Sequence, residues 1–277
     1  MMNKLSRLLP ALVLCLSGWA ARAGDGDTVT WIDPDFPPYF IHAGAFANQG
    51  QNDRQMQIVM QHLPQFRYKM AEVPMARGWY DLSRTDGICM CDAAKSPERE
   101  KFALYSKPTS IDHGMVVMIR TDAKDRFAAF TGADGRIDIG KLTRQATLRG
   151  GLVKGRDYGA VVSAALRESA GNPALTEEPF QDRLFNLIKS GRVDFILTGI
   201  LEYAYFVRSN NLAGQFSYYE ISGNDQTLIG YIACSNGLIG RKFIEAVNEQ
   251  LDKRDLFTAL QVPRREWLAS VGIPGKE

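Results

Sequence analysis

Strand-like and helix-like segments alternate along most of this chain, and that alternation limits the folds open to it more than any other feature. Short apolar runs such as 115–119 have the length and composition of buried strands. Amphipathic segments lie between them, and in one of these Met56, Val59 and Leu63 recur at helical spacing. Strands that are separated by helices pair in parallel, so this order predicts βαβ units and an α/β fold.

The predicted elements follow one another from residue 29 to residue 251. Strands are predicted at 29–32, 66–73, 87–91, 102–105, 115–119, 147–153, 193–197 and 227–234. Helices are predicted at 53–63, 75–82, 158–167, 183–189 and 243–251. Another helix is predicted after Ser96, with Ser96 as its cap and Pro97 as its first residue. A chain of 277 residues is long enough for two modest lobes of this kind.

The first 23 residues have the features of an export signal. Lys4 and Arg7 precede an apolar run over 8–16, and Ala21-Arg22-Ala23 matches an A-x-A cleavage site. The run is shorter than the roughly 20 apolar residues that span a bilayer, and no later segment is apolar enough to do so. We therefore predict cleavage near Ala23 and a periplasmic mature chain; an uncleaved anchor is the alternative.

Charge and missing motifs exclude several classes of function. Cleavage would remove Lys4, Arg7 and Arg22 and no acid, so the formal charge would fall from +2 to −1, which argues against a nucleic-acid partner. The sequence has no glycine-rich phosphate motif and no G-x-S-x-G. The three histidines, at positions 42, 62 and 113, lack ligand spacing, so neither a metal nor a cofactor is predicted.

One segment, from Ser96 to Pro108, carries a more specific pattern. It reads S-P-E-R-E-K-F-A-L-Y-S-K-P. This resembles the [ST]-P-E-R-x-x-x-φ-x-[FY]-S-x-P signature of bacterial solute-binding protein family 3, which includes the periplasmic receptors for polar amino acids. The order of predicted elements agrees with that family from Val29 to about Leu251.

The resemblance implies a two-lobed type II periplasmic binding protein fold with a double-crossover hinge. Lobe 1 would hold residues 24–108 and 229–277, and lobe 2 would hold residues 109–228. Two crossing strands, near 107–112 and 225–230, would form the hinge, and ligand would sit between the lobes. We expect a monomer that closes on a small polar or anionic ligand and serves an ABC permease or a membrane sensor.

The resemblance also implies a set of ligand contacts. In that family the signature Arg holds the ligand's carboxylate and the preceding Ser or Thr contacts the ligand; those positions are Arg99 and Ser96 here. A guanidinium suits this role because it is a planar, two-pronged donor. A capped helix with a surface ion pair is the alternative interpretation. The family's other pocket positions correspond to Phe36, Tyr39, Arg77, Trp79, Asp92, Asp157, Tyr158, Thr198 and Glu202.

The chain departs from the family where the ligand's ammonium would bind. The Asp that serves this purpose falls at Gly199, which Thr198 precedes, and Glu202 lies three residues further on. At the predicted helix start near Gly155, the usual Ser or Thr is replaced by Arg156 or Asp157. We therefore expect a carboxylate-bearing or polar ligand rather than a standard α-amino acid.

Three cysteines would remain after cleavage: Cys89, Cys91 and Cys234. Export implies an oxidising compartment, and an odd count leaves at least one thiol free. The implied fold places the strand of Cys234 antiparallel to that of Cys89 and Cys91. A disulfide to either one, or three buried thiols, are the open alternatives.

Two other functions are consistent with the same fold. One is an enzyme similar to the periplasmic cyclohexadienyl dehydratases, which would need an acid or base in the cleft; Glu202, Asp157 and Asp92 are the candidates. The other is a receptor that signals without transport. Because no catalytic constellation is recognisable, the sequence favours a binding protein over an enzyme.

Overall fold

The computed structural model describes residues 27–225 and 227–274. Two five-stranded mixed sheets carry helices on their faces, which confirms the predicted α/β class. The strands are β1 (Thr28–Ile32), β2 (Arg67–Ala71), β3 (Ile88–Ala93), β4 (Ala103–His113), β5 (Met115–Arg120), β6 (Gly150–Val153), β7 (Leu175–Glu178), β8 (Phe195–Gly199), β9 (Phe216–Glu220) and β10 (Thr227–Ser235). The helices are α1 (Gln51–His62), α2 (Met75–Leu82), α3 (Ile139–Arg144), α4 (Ala160–Glu168), α5 (Gln181–Lys189), α6 (Ile200–Ser209), α7 (Leu238–Asp252) and α8 (Asp255–Ala269).

The two sheets have the same plan. The first has the order β2-β1-β3-β10-β4, with β1 parallel to β2 and β3, and β10 antiparallel to β3 and β4. The second has the order β7-β6-β8-β5-β9, with β6 parallel to β7 and β8, and β5 antiparallel to β8 and β9. We call each sheet with its helices a lobe, and α3 to α6 belong to the second lobe. The predicted export signal, residues 1–23, lies outside the described residues.

The chain passes between the lobes twice. It leaves the first sheet at the end of β4, crosses at Gly114 and enters β5. It returns from β9 into β10, which pairs with β4 from Thr227 opposite His113 to Ser235 opposite Ala103. The two crossings therefore lie side by side, as a double-crossover hinge requires. The exact boundaries of the lobes stay a prediction.

Each lobe has an apolar core of its own. In the first lobe the ring of Trp31, on β1, meets Phe243, on α7, edge to face at 5.5 Å between centroids. In the second lobe Phe127 and Phe195 meet in the same way at 6.3 Å. Edge-to-face pairs of buried aromatic rings are a favourable geometry that adds to their area burial. Each sheet therefore packs against helices of its own lobe.

Helix α8 belongs to both lobes. Its first half places Leu256 and Leu260 in the core of the first lobe. Its second half places Trp267 and Leu268 in an apolar cluster with α5 and α6 of the second lobe. Pro263 stands between these halves, where it removes one intrahelical hydrogen bond. The two halves bury different faces of the helix and a proline stands between them, so the sequence has no single apolar stripe that predicts α8.

The prediction of an α-helix after Ser96 is wrong. The segment makes a single 3-10 turn over Arg99–Lys101, and the Arg99 backbone N–H donates to Ser96 Oγ at 3.4 Å. Strand β4 begins at Ala103, so too few residues remain for an α-helix. Ser96 still caps the segment, but what it caps is one turn.

The cysteine pairing left open by the sequence is settled by the strand register. Cys234 lies directly opposite Cys89 on the antiparallel strands β10 and β3, with their Cα atoms 4.1 Å apart, and the two form a disulfide. Cys91 is buried and free, and its thiol donates to Gln55 Oε1 at 3.6 Å. In residues 27–225 and 227–274, no helix combines the length and apolarity that crossing a membrane takes. Within the same ranges, no group of His, Cys, Asp or Glu could hold a metal ion.

Candidate ligand-binding cleft

A cavity of about 370 Å³ lies where the two lobes face each other. That volume is typical of sites that hold small molecules. The first lobe lines it with loops that follow β1 and β3, and the second lobe lines it from the start of α6 and the loop after β6. The charged and aromatic lining residues are Phe36, Tyr39, Phe40, Trp79, Asp92, Arg99, Asp112, Arg156 and Glu202.

The loop after β1 supplies an aromatic wall. Phe36 and Tyr39 stack with centroids 5.5 Å apart and planes 14° from parallel. The loop folds back on itself, since the backbones of Phe36 and Phe40 exchange hydrogen bonds of 3.1 and 3.0 Å. Tyr39 packs against apolar clusters of both lobes, and burial, with the nearby carboxylate of Asp112, raises its pKa well above the usual value. The Tyr39 hydroxyl is therefore neutral and can donate.

Arg99 lies over an indole on the floor of the first lobe. Its guanidinium carbon sits 4.1 Å above the ring of Trp79, and Nη1 donates to the carbonyl of Ala94 at 3.1 Å. Stacking on an indole orients a guanidinium without using its in-plane donors. No carboxylate pairs with Arg99 among residues 27–225 and 227–274, so its remaining N–H groups are available to an anion in the cleft.

The second lobe presents a charge pair that is already satisfied. Arg156 Nη1 donates to Glu202 Oε2 at 3.0 Å, and Nη2 donates to Oε1 at 2.9 Å. Oε2 also accepts from Thr198 Oγ1 and from the Gly199 backbone N–H, each at 2.9 Å. Glu202 is 5% exposed and caps the first turn of α6. Its oxygens are thus bound by the protein itself.

Asp92 is the acidic group of the first lobe in this cleft. Its backbone has φ of 53°, a left-handed conformation that Asp tolerates better than most residues. Ser110 Oγ donates to its Oδ1, and Gln51 Nε2 donates to its Oδ2 at 3.3 Å. Burial raises the pKa of Asp92 to about 6, with the charge of Asp112 acting in the same direction. Asp92 therefore changes charge just below neutral pH.

Solved structures with a similar fold match nearly the whole chain. An amino-acid ABC transporter substrate-binding protein from Streptococcus pneumoniae, bound to L-arginine, is 17% identical, with 91% of this chain and 98% of that chain covered and a TM-score of 0.59. An ancestral cationic amino acid solute-binding protein is 15% identical, with coverage of 88% and 96% and a TM-score of 0.64. The periplasmic VFT2 domain of BvgS from Bordetella pertussis is 16% identical, with coverage of 90% and 98% and a TM-score of 0.58. The chain has the type II periplasmic binding protein fold.

No protein-family model and no curated protein matches the sequence, so these structures establish the fold alone. In the type II periplasmic binding protein fold, the cavity between the lobes is the position where open α/β sheets bind ligands. Six of the residues proposed from the sequence come together there: Phe36, Tyr39, Trp79, Asp92, Arg99 and Glu202.

The other five proposed residues do not line the cavity. Thr198 lies behind Glu202, which it hydrogen-bonds, and Ser96 lies beneath the turn of Arg99. The other three make local contacts, since Arg77 pairs with Asp81 at 2.8 Å, Asp157 accepts from the Gly159 N–H at 2.9 Å, and Tyr158 Oη accepts from the Val153 N–H at 2.6 Å.

Arg156 lines the cavity although it is not among the contacts predicted from the sequence, where it is a departure from the family pattern. The feature of the sequence that could have identified Arg156 is a charged residue at a position where the family usually has Ser or Thr. Asp112 and the apolar pair Leu228 and Ile229, on the crossing strands, were also missed. Crossing strands alternate in sequence like any other strand, so nothing marks which of their side chains face a cavity.

Proposed function

We propose that this chain is a periplasmic binding or sensing protein that closes on a small molecule with a carboxylate and an apolar body. The proposal rests on the position of Arg99. This residue lies in a cleft lined by both lobes, and no carboxylate of the described residues pairs with its guanidinium. A guanidinium held in this way binds a carboxylate with two parallel hydrogen bonds.

The walls of the cleft support the apolar part of this description. Phe36 is 48% exposed, Leu228 is 55% exposed and Ile229 is 41% exposed, although all three line the cavity. Exposed apolar groups that cluster at one cleft mark a surface that a ligand or partner covers. A ligand that reaches from Arg99 to this rim would bury them.

The acids of the cleft argue against an α-ammonium group. Glu202 already accepts from Arg156, Thr198 and Gly199, so a ligand ammonium would have to replace contacts that are in place. Asp92 is largely bound by Ser110 and Gln51. The third acid of the cleft, Asp112, pairs with Arg264 at 2.6 Å. The cleft therefore has an open donor for a carboxylate, whereas each of its three acids already has a partner among the described residues.

Calorimetry with two matched compounds tests this proposal. Hydrocinnamate and phenylalanine share one skeleton, and only the second carries an ammonium. We expect hydrocinnamate to bind and phenylalanine to bind at least about tenfold more weakly, because an uncompensated charge in a closed site is costly. Arg99→Gln should abolish hydrocinnamate binding, whereas Arg77→Gln, which changes an arginine outside the cleft, should not. Equal binding of both compounds, or retention by Arg99→Gln, would overturn the proposal.

The partner of the closed form is a separate question. A substrate-binding protein of an amino-acid ABC transporter and a histidine kinase sensor domain are both similar to this chain in fold. We propose that an ABC permease or a membrane sensor reads the closed lobes. Pull-down from membranes with ligand-saturated and ligand-free protein would distinguish the two by the partner recovered. If neither form recovered a membrane protein, both roles would be contradicted.

A further inference from the structure

A second cavity, of about 340 Å³, lies beside the chain crossings and shares no lining residue with the cleft. Gly114 and Thr227, at the two crossings, form part of its wall. The rest comes from β5 and β9 of the second lobe, from the loop of Arg136, from residues 221–225 after β9, from the start of α6, and from α8 with the segment that follows it. Most of the wall's surface is apolar, and its apolar side chains include Met115, Val116, Ile200, Ile221, Leu268 and Ile273.

One buried cation lines this cavity. Arg264, on α8, is 5% exposed. Its Nη2 forms an ion pair with Asp112 Oδ1 at 2.6 Å, whereas Nη1 has no hydrogen-bond acceptor among residues 27–225 and 227–274. A buried donor without an acceptor is costly and is a frequent sign of a group that the structure leaves for a ligand or a water.

The charges around Arg264 decide what kind of ligand fits. Asp112 balances the charge of Arg264, and Arg136 pairs with Glu220 at 3.3 Å and with Asp225 at 2.6 Å. Arg264 therefore has a counter-ion at Nη2, while its Nη1 lacks a hydrogen-bond acceptor among the described residues. A carboxylate would add a negative charge close to three carboxylates, whereas an uncharged carbonyl oxygen would supply the acceptor without that repulsion.

We propose that this cavity is a second binding site, for a small, mainly apolar and uncharged carbonyl compound such as a ketone, an ester or a lactone. The carbonyl oxygen accepts from Arg264, and the apolar body fills the space between β5 and the end of α8. The site does not depend on the function proposed for the cleft. It lies against both crossings, and Arg264 also holds Asp112, which lines the cleft.

Calorimetry with acetophenone, ethylbenzene and phenylacetate tests the site on the mature chain. Acetophenone and ethylbenzene differ by one oxygen, and phenylacetate adds the charge. We expect acetophenone to bind about tenfold more tightly than ethylbenzene, the effect of one hydrogen bond to a buried charged donor. Arg264→Met should remove this preference. Equal binding of acetophenone and ethylbenzene, or no binding of either, would overturn the proposal.

A pair of tryptophan substitutions places the binding and guards against misfolding of Arg264→Met. Ile273→Trp fills the cavity from the segment that follows α8 and should abolish acetophenone binding, while Ala269→Trp, at the exposed last position of α8, should leave it unchanged. Acetophenone binding that survives Ile273→Trp would mean that it binds elsewhere. Phenylacetate competing with acetophenone at equal affinity would contradict the preference for an uncharged ligand.

Discussion

Asp92 occupies the space that any side chain at Gly230 would need. A Cβ at position 230 would overlap Asp92 Oδ1 and Ser110 Oγ, which are hydrogen-bonded to each other. The returning strand β10 thus passes directly beneath the acidic group of the cleft, and the absence of a side chain at Gly230 is what lets the carboxyl sit there.

Gly230→Ala should therefore displace Asp92 or lift β10 away from it. We expect a loss of roughly 1–3 kcal/mol in the free energy of unfolding, the usual cost of overpacking a close contact. Denaturant unfolding measures it. Gly140→Ala is the matched control, because the nearest atom to its Cβ would be the flexible end of Arg144 at 3.2 Å, and its effect should stay within about 0.5 kcal/mol. Equal effects of the two substitutions would contradict the packing described here.

The raised pKa of Asp92 predicts a pH dependence of stability. Its pKa is about 6 in the folded chain and about 3.9 in an unfolded one, so between these values the folded chain binds the proton more tightly. The contribution of Asp92 is therefore most favourable below about pH 4 and is lost as the pH rises through 6. Asp92→Asn should match the parent protein near pH 4 and exceed its unfolding free energy by roughly 1–3 kcal/mol at pH 7. A difference independent of pH would contradict this assignment.

The buried pair of Arg156 and Glu202 should contribute far more than an exposed pair of the same type. Glu202→Gln leaves a half-buried guanidinium without its counter-ion, and we expect a loss of about 1–3 kcal/mol by denaturant unfolding. The control is Glu168→Gln, whose partner Arg144 is 2.8 Å away but whose side chain is 63% exposed. That change should cost less than about 1 kcal/mol, since solvent screens such pairs. Similar losses in both variants would show that burial does not set the difference.

The disulfide should stabilise the chain and leave one thiol titratable. Replacing Cys89 and Cys234 together by Ala should cost roughly 2–4 kcal/mol, because the bond closes a long loop in the unfolded chain. After unfolding, a chain produced from residue 24 onward should give one reactive thiol without reductant and three with it. Cys91→Ala should remove the single thiol and leave the disulfide intact. Three reactive thiols without reductant would contradict the pairing.

Periodicity and one motif were enough to predict the order of most elements, the two lobes and the crossings. They failed where structure depends on contacts distant in sequence. Arg156 and Glu202 are 46 residues apart, and only the approach of β6 to α6 joins them. Strand β4 begins at Ala103, so the segment after Ser96 has room for one turn and not for the expected helix. Helix α8 has no single apolar face because it serves two cores, so a search for one stripe could not detect it.

The pairing of Cys89 with Cys234 has a consequence for how this chain could be cut. Every strand of the second lobe lies between these two cysteines, so a protease nick anywhere between β5 and β9 would release nothing until reductant is added. New termini could accordingly be opened in a surface loop of the second lobe, for circular permutation or for insertion of a reporter domain. The first lobe would keep its returning strand covalently attached throughout.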